Sequence, residues 1–394
     1  MIPDGVHGRR SLFVFGSLER AGAQLRSLEV CEALHRGDGM GFTFCSIDLG
    51  PSEIAEDVIR AGGSVTQVSI RSPWFPIRFV RLLRDERFDV VNTEPQLLSG
   101  FIVWLAALCR VPTRIVTIHN SIGDPGQSAR SRIVRAVLAN HMFGWAMRSL
   151  IARHSTHVVA VSRSALDSVF PGRWRSASRC TVIYNGTDHE PFRHGGDPSS
   201  LREEFGWPAE SSLIINVARF TVQKNHAAIV RTMRLVLERD PTVRLLLVGS
   251  GVLRQEIERM VAELGISASC VVTGDRTDVP RLLLGADVFF FPSSWEGLPG
   301  APLEALAAGL PVVTSDIPSM REIASCFPAD VALAAPDDIR GHAANLAAAL
   351  DRRSDEARSD RRARFAASPF TLGTAVARYR ELYRSGSKAH ELAS

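Results

Sequence analysis

Residues 288–313 read VFFFPSSWEGLPGAPLEALAAGLPVV, and this stretch decides the fold. Val288 to Phe291 is an apolar run closed by Pro292, the pattern of a strand buried in a parallel sheet. Leu303, Leu306 and Ala307 then recur at helical spacing, so the chain runs strand, loop, helix. The loop from Ser293 to Pro302 holds Gly297, Gly300, two prolines and Glu296, and Glu304 follows eight positions after Glu296. A glycine-rich loop feeding a helix N-terminus aims backbone N–H groups and the positive end of the helix dipole at one point, which suits a diphosphate. Two carboxylates there oppose a phosphate unless they accept hydrogen bonds from sugar hydroxyls beside it. Together these features fit a nucleotide-sugar.

Outward from this stretch, strands and helices alternate as in an α/β chain with a parallel sheet. Ser11 to Phe15 reads as a first strand, followed by a loop and a helix that Gly22 opens, where a missing side chain lets a phosphate approach the backbone. The strand Phe88 to Thr93 carries Asn92 and brings Glu94 to its carboxyl end, where ligands bind in open α/β sheets. Arg114 to Ile118 delivers His119 and Asn120 at its tip; by position alone His119 is equally a packed core residue or a functional one. His157 to Val161 ends at Ser162.

Residues 185–212, rich in Gly, Pro, Ser and charge, mark a linker. Beyond it, Leu213 to Val217 reads as a strand. Arg219 and Lys224 sit on the loop that follows and by themselves read either as ordinary surface charges or as a fork and a point charge that can converge on one anion, such as a diphosphate leaving group held without a metal.

With 394 residues the chain suits two domains, and no run is long and apolar enough to span a bilayer. The apolar run Leu12 to Phe15 is too short for a signal peptide, so a cytoplasmic protein is expected. Six cysteines without a C-x-x-C pair read as reduced core thiols. Residues 1–195 hold 23 basic and 17 acidic side chains, the rest 23 and 25, so the basic surplus lies in the first half. Two basic amphipathic stretches there, 71–87 with Trp74 and Phe75 at its tip and 128–154, read as solvated helix faces or as surfaces for an acceptor or the inner face of a membrane. The small net charge and the lack of a nucleic-acid motif argue against DNA or RNA.

Glu296-x7-Glu304, with its flanking Pro-Ser, Gly-x-Pro, Leu-Glu-Ala and Ala-Gly-x-Pro-Val-Val elements, resembles the signature of the retaining glycosyltransferases of the GT4 type, which have the two-domain GT-B fold. Arg219-x4-Lys224, VTIHN ending on His119-Asn120 and Asn185-Gly186-x-Asp188 match the same family, with Ala218 and Ala21-Gly22-Ala23-Gln24 as departures. The resemblance implies an acceptor-side Rossmann-like domain over 1–190, a nucleotide-sugar domain over 191–368 and a terminal helix over 369–394 that returns to the first domain. It implies a hexosyl- or N-acetylhexosaminyltransferase, UDP favoured, with His119, Arg219, Lys224 and Glu296 as catalytic residues. Gly22, Arg276, Gly297, Leu298, Gly300, Leu303 and Glu304 would bind the donor, and Asn92, Glu94, Asn120 and Ser162 would face the acceptor. No Asp-x-Asp motif occurs, so metal-independent transfer with no cofactor is expected. A lipid-linked or cell-surface glycan and a soluble small molecule both remain open as acceptors, and a non-catalytic sugar-nucleotide-binding subunit is the reading of another class.

Overall fold

The structure, a computed structural model, describes residues 8–119, 141–170, 172, 174, 177–193, 198–352 and 354–391. The chain forms two compact units, Met1–Gly186 with Leu372–Ser394, and Thr187–Thr371. The expected divisions lay at 190/191 and 368/369. The observed ones fall where the two crossing segments pair, with Thr187 N donating to Phe370 O at 2.8 Å.

In the first unit β1 (Arg10–Phe15), α1 (Gly22–Asp38), β2 (Gly41–Ser46), α2 (Ala55–Arg60), β3 (Ser64–Gln67), α3 (Phe75–Glu86), β4 (Val90–Thr93), α4 (Ser99–Leu108) and β5 (Thr113–Ile118) alternate strictly. After the helix His141–His154 come β6 (His157–Ala160), the helix Arg163–Val169 and β7 (Cys180–Val182). The sheet order is β3-β2-β1-β4-β5-β6-β7 and every pairing is parallel. Strands such as β1 and β4 are buried along nearly their whole length because helices cover both faces. On one face lies α1, with Leu28, Cys31 and Leu34 in the core; on the other lie α3 and α4, with Phe75, Phe79, Leu83 and Ile102. Of the stretch 128–154 read as one helical pattern, only the part from 141 onward lies within the described residues.

The terminal helix Leu372–Glu391 belongs to this unit. Ala375, Val376, Leu382 and Tyr383 enter the α1 core, and Arg380 Nε lies 2.8 Å from Asp38 Oδ2.

The second unit contains β8 (Leu213–Val217), β9 (Arg244–Val248), β10 (Cys270–Gly274), β11 (Val288–Phe291), β12 (Val312–Ser315) and β13 (Val331–Ala334), in the parallel order β10-β9-β8-β11-β12-β13. The helices His226–Arg239 and Gly300–Ala307 follow β8 and β11. Both sheets are doubly wound and change winding direction in the middle, between β1 and β4 and between β8 and β11. At such a switch point the loops leaving the two strands diverge, and a crevice opens at their carboxyl ends. No helix among the described residues is long and apolar enough to cross a membrane.

Candidate functional site

Residues 218–225 leave β8 and residues 292–299 leave β11, so the two loops flank the switch point of the second unit. The first loop is fixed from beneath. Ala218 N donates to Val248 O at 3.0 Å, Phe220 N to Ser250 O at 2.8 Å, and Leu253 N to Phe220 O at 3.1 Å. That approach requires glycine at two positions: Gly249 has φ +134° and a Cβ there would lie 2.2 Å from Ala218 O, while at Gly251, φ +151°, it would lie 2.6 Å from Phe220 O. The chain then makes a 3-10 turn, Val222–Lys224, and Asn225 takes the left-handed conformation (φ 51°) that asparagine tolerates, before the helix begins at His226. His226 is buried and stacks on Phe220, ring centroids 4.0 Å apart. Burial, and then the neighbouring Lys224 charge, push its pKa down to about 4.

The two loops are stitched together by polar contacts. Lys224 Nζ lies 2.5 Å from Glu296 Oε1, with side-chain exposures of only 18% and 7%. Gln223 Nε2 donates to Trp295 O at 2.8 Å and to Glu296 Oε2 at 3.1 Å, and Ser294 N donates to Gln223 O at 2.9 Å. Lys224 Nζ also stands 4.9 Å from the Phe291 ring centroid, within cation–π reach. Glu296 is therefore held at both oxygens, one by a cation and one by an amide. The sequence reading did not single out Gln223; its only signal is adjacency to Lys224.

The helix Gly300–Ala307 starts without a side-chain cap. Pro299 and Pro302 have no N–H, so the first-turn amides with no helical carbonyl behind them are those of Gly300 and Ala301. Gly297 and Leu298 are buried, and Leu303 is fully buried, so the leucines offer only backbone to a ligand. Glu304 is half-buried. Arg219 is exposed and forms no ion pair among the described residues.

Arg276 follows β10 and is engaged by carboxylates. Its Nε and Nη2 donate to Asp278 at 2.7 and 2.8 Å, and its Nη1 lies 3.1 Å from Glu204. The hydrogen bonds to Asp278 raise the guanidinium pKa and hold the Asp278 carboxyl below the usual range. Three of the five guanidinium N–H donors are thus engaged by carboxylates.

In the first unit the switch point brings α1 beside Glu94. Glu94 N donates to Val14 O at 2.9 Å, Ser27 Oγ donates to Glu94 Oε1 at 2.9 Å, and His119 Nε2 lies 2.8 Å from Glu94 Oε2. The Glu94 side chain is 4% exposed and that of His119 12%. Burial, and next the nearby Glu94 charge, raise the Tyr379 pKa. Arg26, Ser27, His119, Asn185 and Tyr379 line a small cavity here. Gly22 is exposed at the start of α1, and a Cβ added to it would meet nothing within 4 Å.

Two expected acceptor residues have structural work instead. Asn92 is 1% exposed and its Oδ1 accepts a 2.7 Å hydrogen bond from Thr117 Oγ1, tying β4 to β5. Ser162 is fully buried and caps the helix Arg163–Val169, its Oγ accepting from Ala165 N at 3.1 Å. Asn120 lies outside the described residues.

Known proteins resemble both halves of the chain. The model of the family described as Glycosyl transferases group 1 matches residues 198–365, and that of Glycosyltransferase Family 4 matches residues 21–191. EpsF of Bacillus subtilis (strain 168), a provisionally named glycosyltransferase, is 28% identical over 78% of this chain and 79% of its own. The UDP-Gal:alpha-D-GlcNAc-diphosphoundecaprenol alpha-1,3-galactosyltransferase of Escherichia coli is 27% identical over 61% of each chain. Among solved structures, Anabaena HepE in complex with UDP superposes with a TM-score of 0.78 at 17% identity, covering 95% of this chain and 100% of that one.

Proposed function

This chain belongs to glycosyltransferase family 4 and has the two-domain GT-B fold, and from that premise we propose that it is a retaining, metal-independent enzyme moving a hexosyl or N-acetylhexosaminyl group from a UDP-sugar to a lipid-linked glycan in cell-surface polysaccharide synthesis. The observation that carries the reading is the Lys224–Glu296 pair at the switch point of the second unit, beside a helix start with two free amides. Lys224, with ammonium hydrogens left over after Glu296, and the unpaired Arg219 neutralise the departing diphosphate. The Gly300 and Ala301 amides add fixed dipoles. Glu296, held in orientation by Lys224 and Gln223, accepts hydrogen bonds from the sugar hydroxyls, and Glu304 from the ribose.

The bond from the anomeric carbon to the diphosphate oxygen breaks, its electron pair leaving with the phosphate. The acceptor oxygen bonds to the same face of that carbon and its proton passes to a phosphate oxygen. In the first unit, His119 Nε2 stands 2.8 Å from Glu94 Oε2, and His119 is proposed to act on the reacting sugar. The relative acting on a diphosphoundecaprenol-linked sugar and the UDP-bound structural neighbour support the choice of acceptor and base.

The test is incubation with UDP-glucose, UDP-galactose and UDP-N-acetylglucosamine and polyprenyl-diphosphate-linked sugars, with and without EDTA, followed by NMR of the product. An α-linked product from an α-linked donor, formed equally with EDTA, is expected. A β-linked product, or loss of transfer with EDTA, contradicts the reading.

A further inference from the structure

We propose that the face of α3 and α4 turned away from the first-unit sheet is a docking surface for an anionic lipid bilayer. Along α3, Phe75, Phe79 and Leu83 are buried against the sheet, and the opposite stripe presents Trp74, Ile77, Arg78, Arg81 and Arg84. Trp74 is 60% exposed and Ile77 63%. Across from them Leu108 of α4 is 57% exposed, and between the helices runs a groove of about 780 Å³ with Val80, Phe101 and Trp104 in its walls and Arg81 and Arg84 on its α3 side. The helix His141–His154 packs on α4 so closely that a Cβ at Gly100 would lie 2.4 Å from Met147 O, and its Trp145 is 70% exposed. Half of the eight exposed large apolar side chains among the described residues thus lie on three adjoining helices.

Charge decides the occupant. Arg71, Arg78, Arg81, Arg84, Arg87 and Arg110 are exposed around this patch, whereas Asp85 is the exposed acid within α3. Glu86 is taken up by Arg10. Exposed tryptophans beside aliphatic side chains, ringed by arginines whose stems can lie along the apolar surface, match the boundary between acyl chains and phosphate headgroups. The apolar groups would enter the headgroup boundary while the guanidinium groups stay at phosphate level.

This surface deepens the lipid-linked acceptor reading, yet its binding is measured with neither donor nor acceptor, so the two fail separately. The experiment is flotation of the full chain with vesicles of phosphatidylglycerol and phosphatidylcholine, against phosphatidylcholine alone, at low and high salt. The chain is expected to float with the anionic vesicles, less so in high salt, and to stay behind with the neutral ones. An Arg81→Gln/Arg84→Gln variant is expected to bind about 30-fold more weakly, from about 1 kcal/mol per basic residue, and a Trp74→Ala/Ile77→Ser variant to lose binding as well. Both pairs are exposed, and unchanged thermal melting verifies their folding. Equal binding of wild type and both variants, no anionic preference, or self-association through this face without lipid would overturn the proposal.

Discussion

Lys224 Nζ stands 2.5 Å from Glu296 Oε1, so the loop after β8 and the loop after β11 are joined across the strand pair where the second sheet changes direction. The contact binds two elements 72 residues apart in sequence and fixes both charged groups before any ligand arrives. Lys224→Ala should therefore act twice. Turnover is expected to fall at least 100- to 1,000-fold, on the order of losing a preorganised transition-state donor. Stability is expected to fall by about 3 kcal/mol, because Glu296 is left largely buried with only Gln223 beside it. Lys224→Met/Glu296→Gln should recover much of the stability and none of the activity. Urea melts and initial rates on the three proteins separate the effects; a fully active Lys224→Ala protein contradicts the assignment.

Two glycines give opposite expectations. Gly249→Ala forces a Cβ to 2.2 Å from Ala218 O at φ +134°, so a loss of about 2 kcal/mol or more is expected, with weaker donor binding because the Arg219 loop shifts. Gly22→Ala meets no atom within 4 Å and should leave stability within about 0.5 kcal/mol. If a phosphate approaches Gly22, its alanine variant loses donor affinity at normal stability. Melting curves beside KM for the donor distinguish the two sites.

His226 makes stability depend on pH. Its folded pKa of about 4 lies below the usual 6.5, so between these values the unfolded chain binds the extra proton. The contribution is complete above about pH 6.5 and declines as pH falls towards 4, by up to about 3 kcal/mol. His226→Phe keeps a ring against Phe220 and removes the titration. The difference in unfolding free energy between wild type and this variant is expected to move in the variant's favour across that window. A pH-independent difference would contradict the burial argument.

Ser162→Ala removes a helix cap, not an acceptor contact. About 1 kcal/mol of stability should be lost, with kcat and KM unchanged. A large rise in acceptor KM would return Ser162 to the site.

Most of the architecture was legible because it rests on periodicity and punctuation. The run Val288 to Phe291, closed by Pro292, is β11, and Arg219 and Lys224 stand on the loop that leaves β8. What failed were side-chain directions at strand ends. Asn92 and Glu94 are two apart in sequence, yet only Glu94 meets His119 at the carboxyl edge of the sheet, while Asn92 turns between β4 and β5 towards Thr117. Arg276 is singled out through the resemblance, and its engagement by Asp278 together with Glu204, 72 residues earlier, emerges only in the folded chain. Gln223, Gly249 and Gly251 were missed as parts of the site because their role is to hold the Arg219–Lys224 loop, a relationship that only tertiary packing reveals.

The central claim is that a nucleoside diphosphate binds in the second unit between the Lys224 loop and the start of the helix Gly300–Ala307. The most direct test is thermal unfolding of wild type and Lys224→Ala with UDP, GDP and their sugars, in EDTA and in Mg²⁺. A ligand at 100 times its Kd adds about 2.7 kcal/mol, which is readily seen as a shift in Tm. Stabilisation of wild type by UDP in EDTA, lost in Lys224→Ala, is the predicted result. No nucleotide response in wild type, or an equal response in both proteins, would contradict the account.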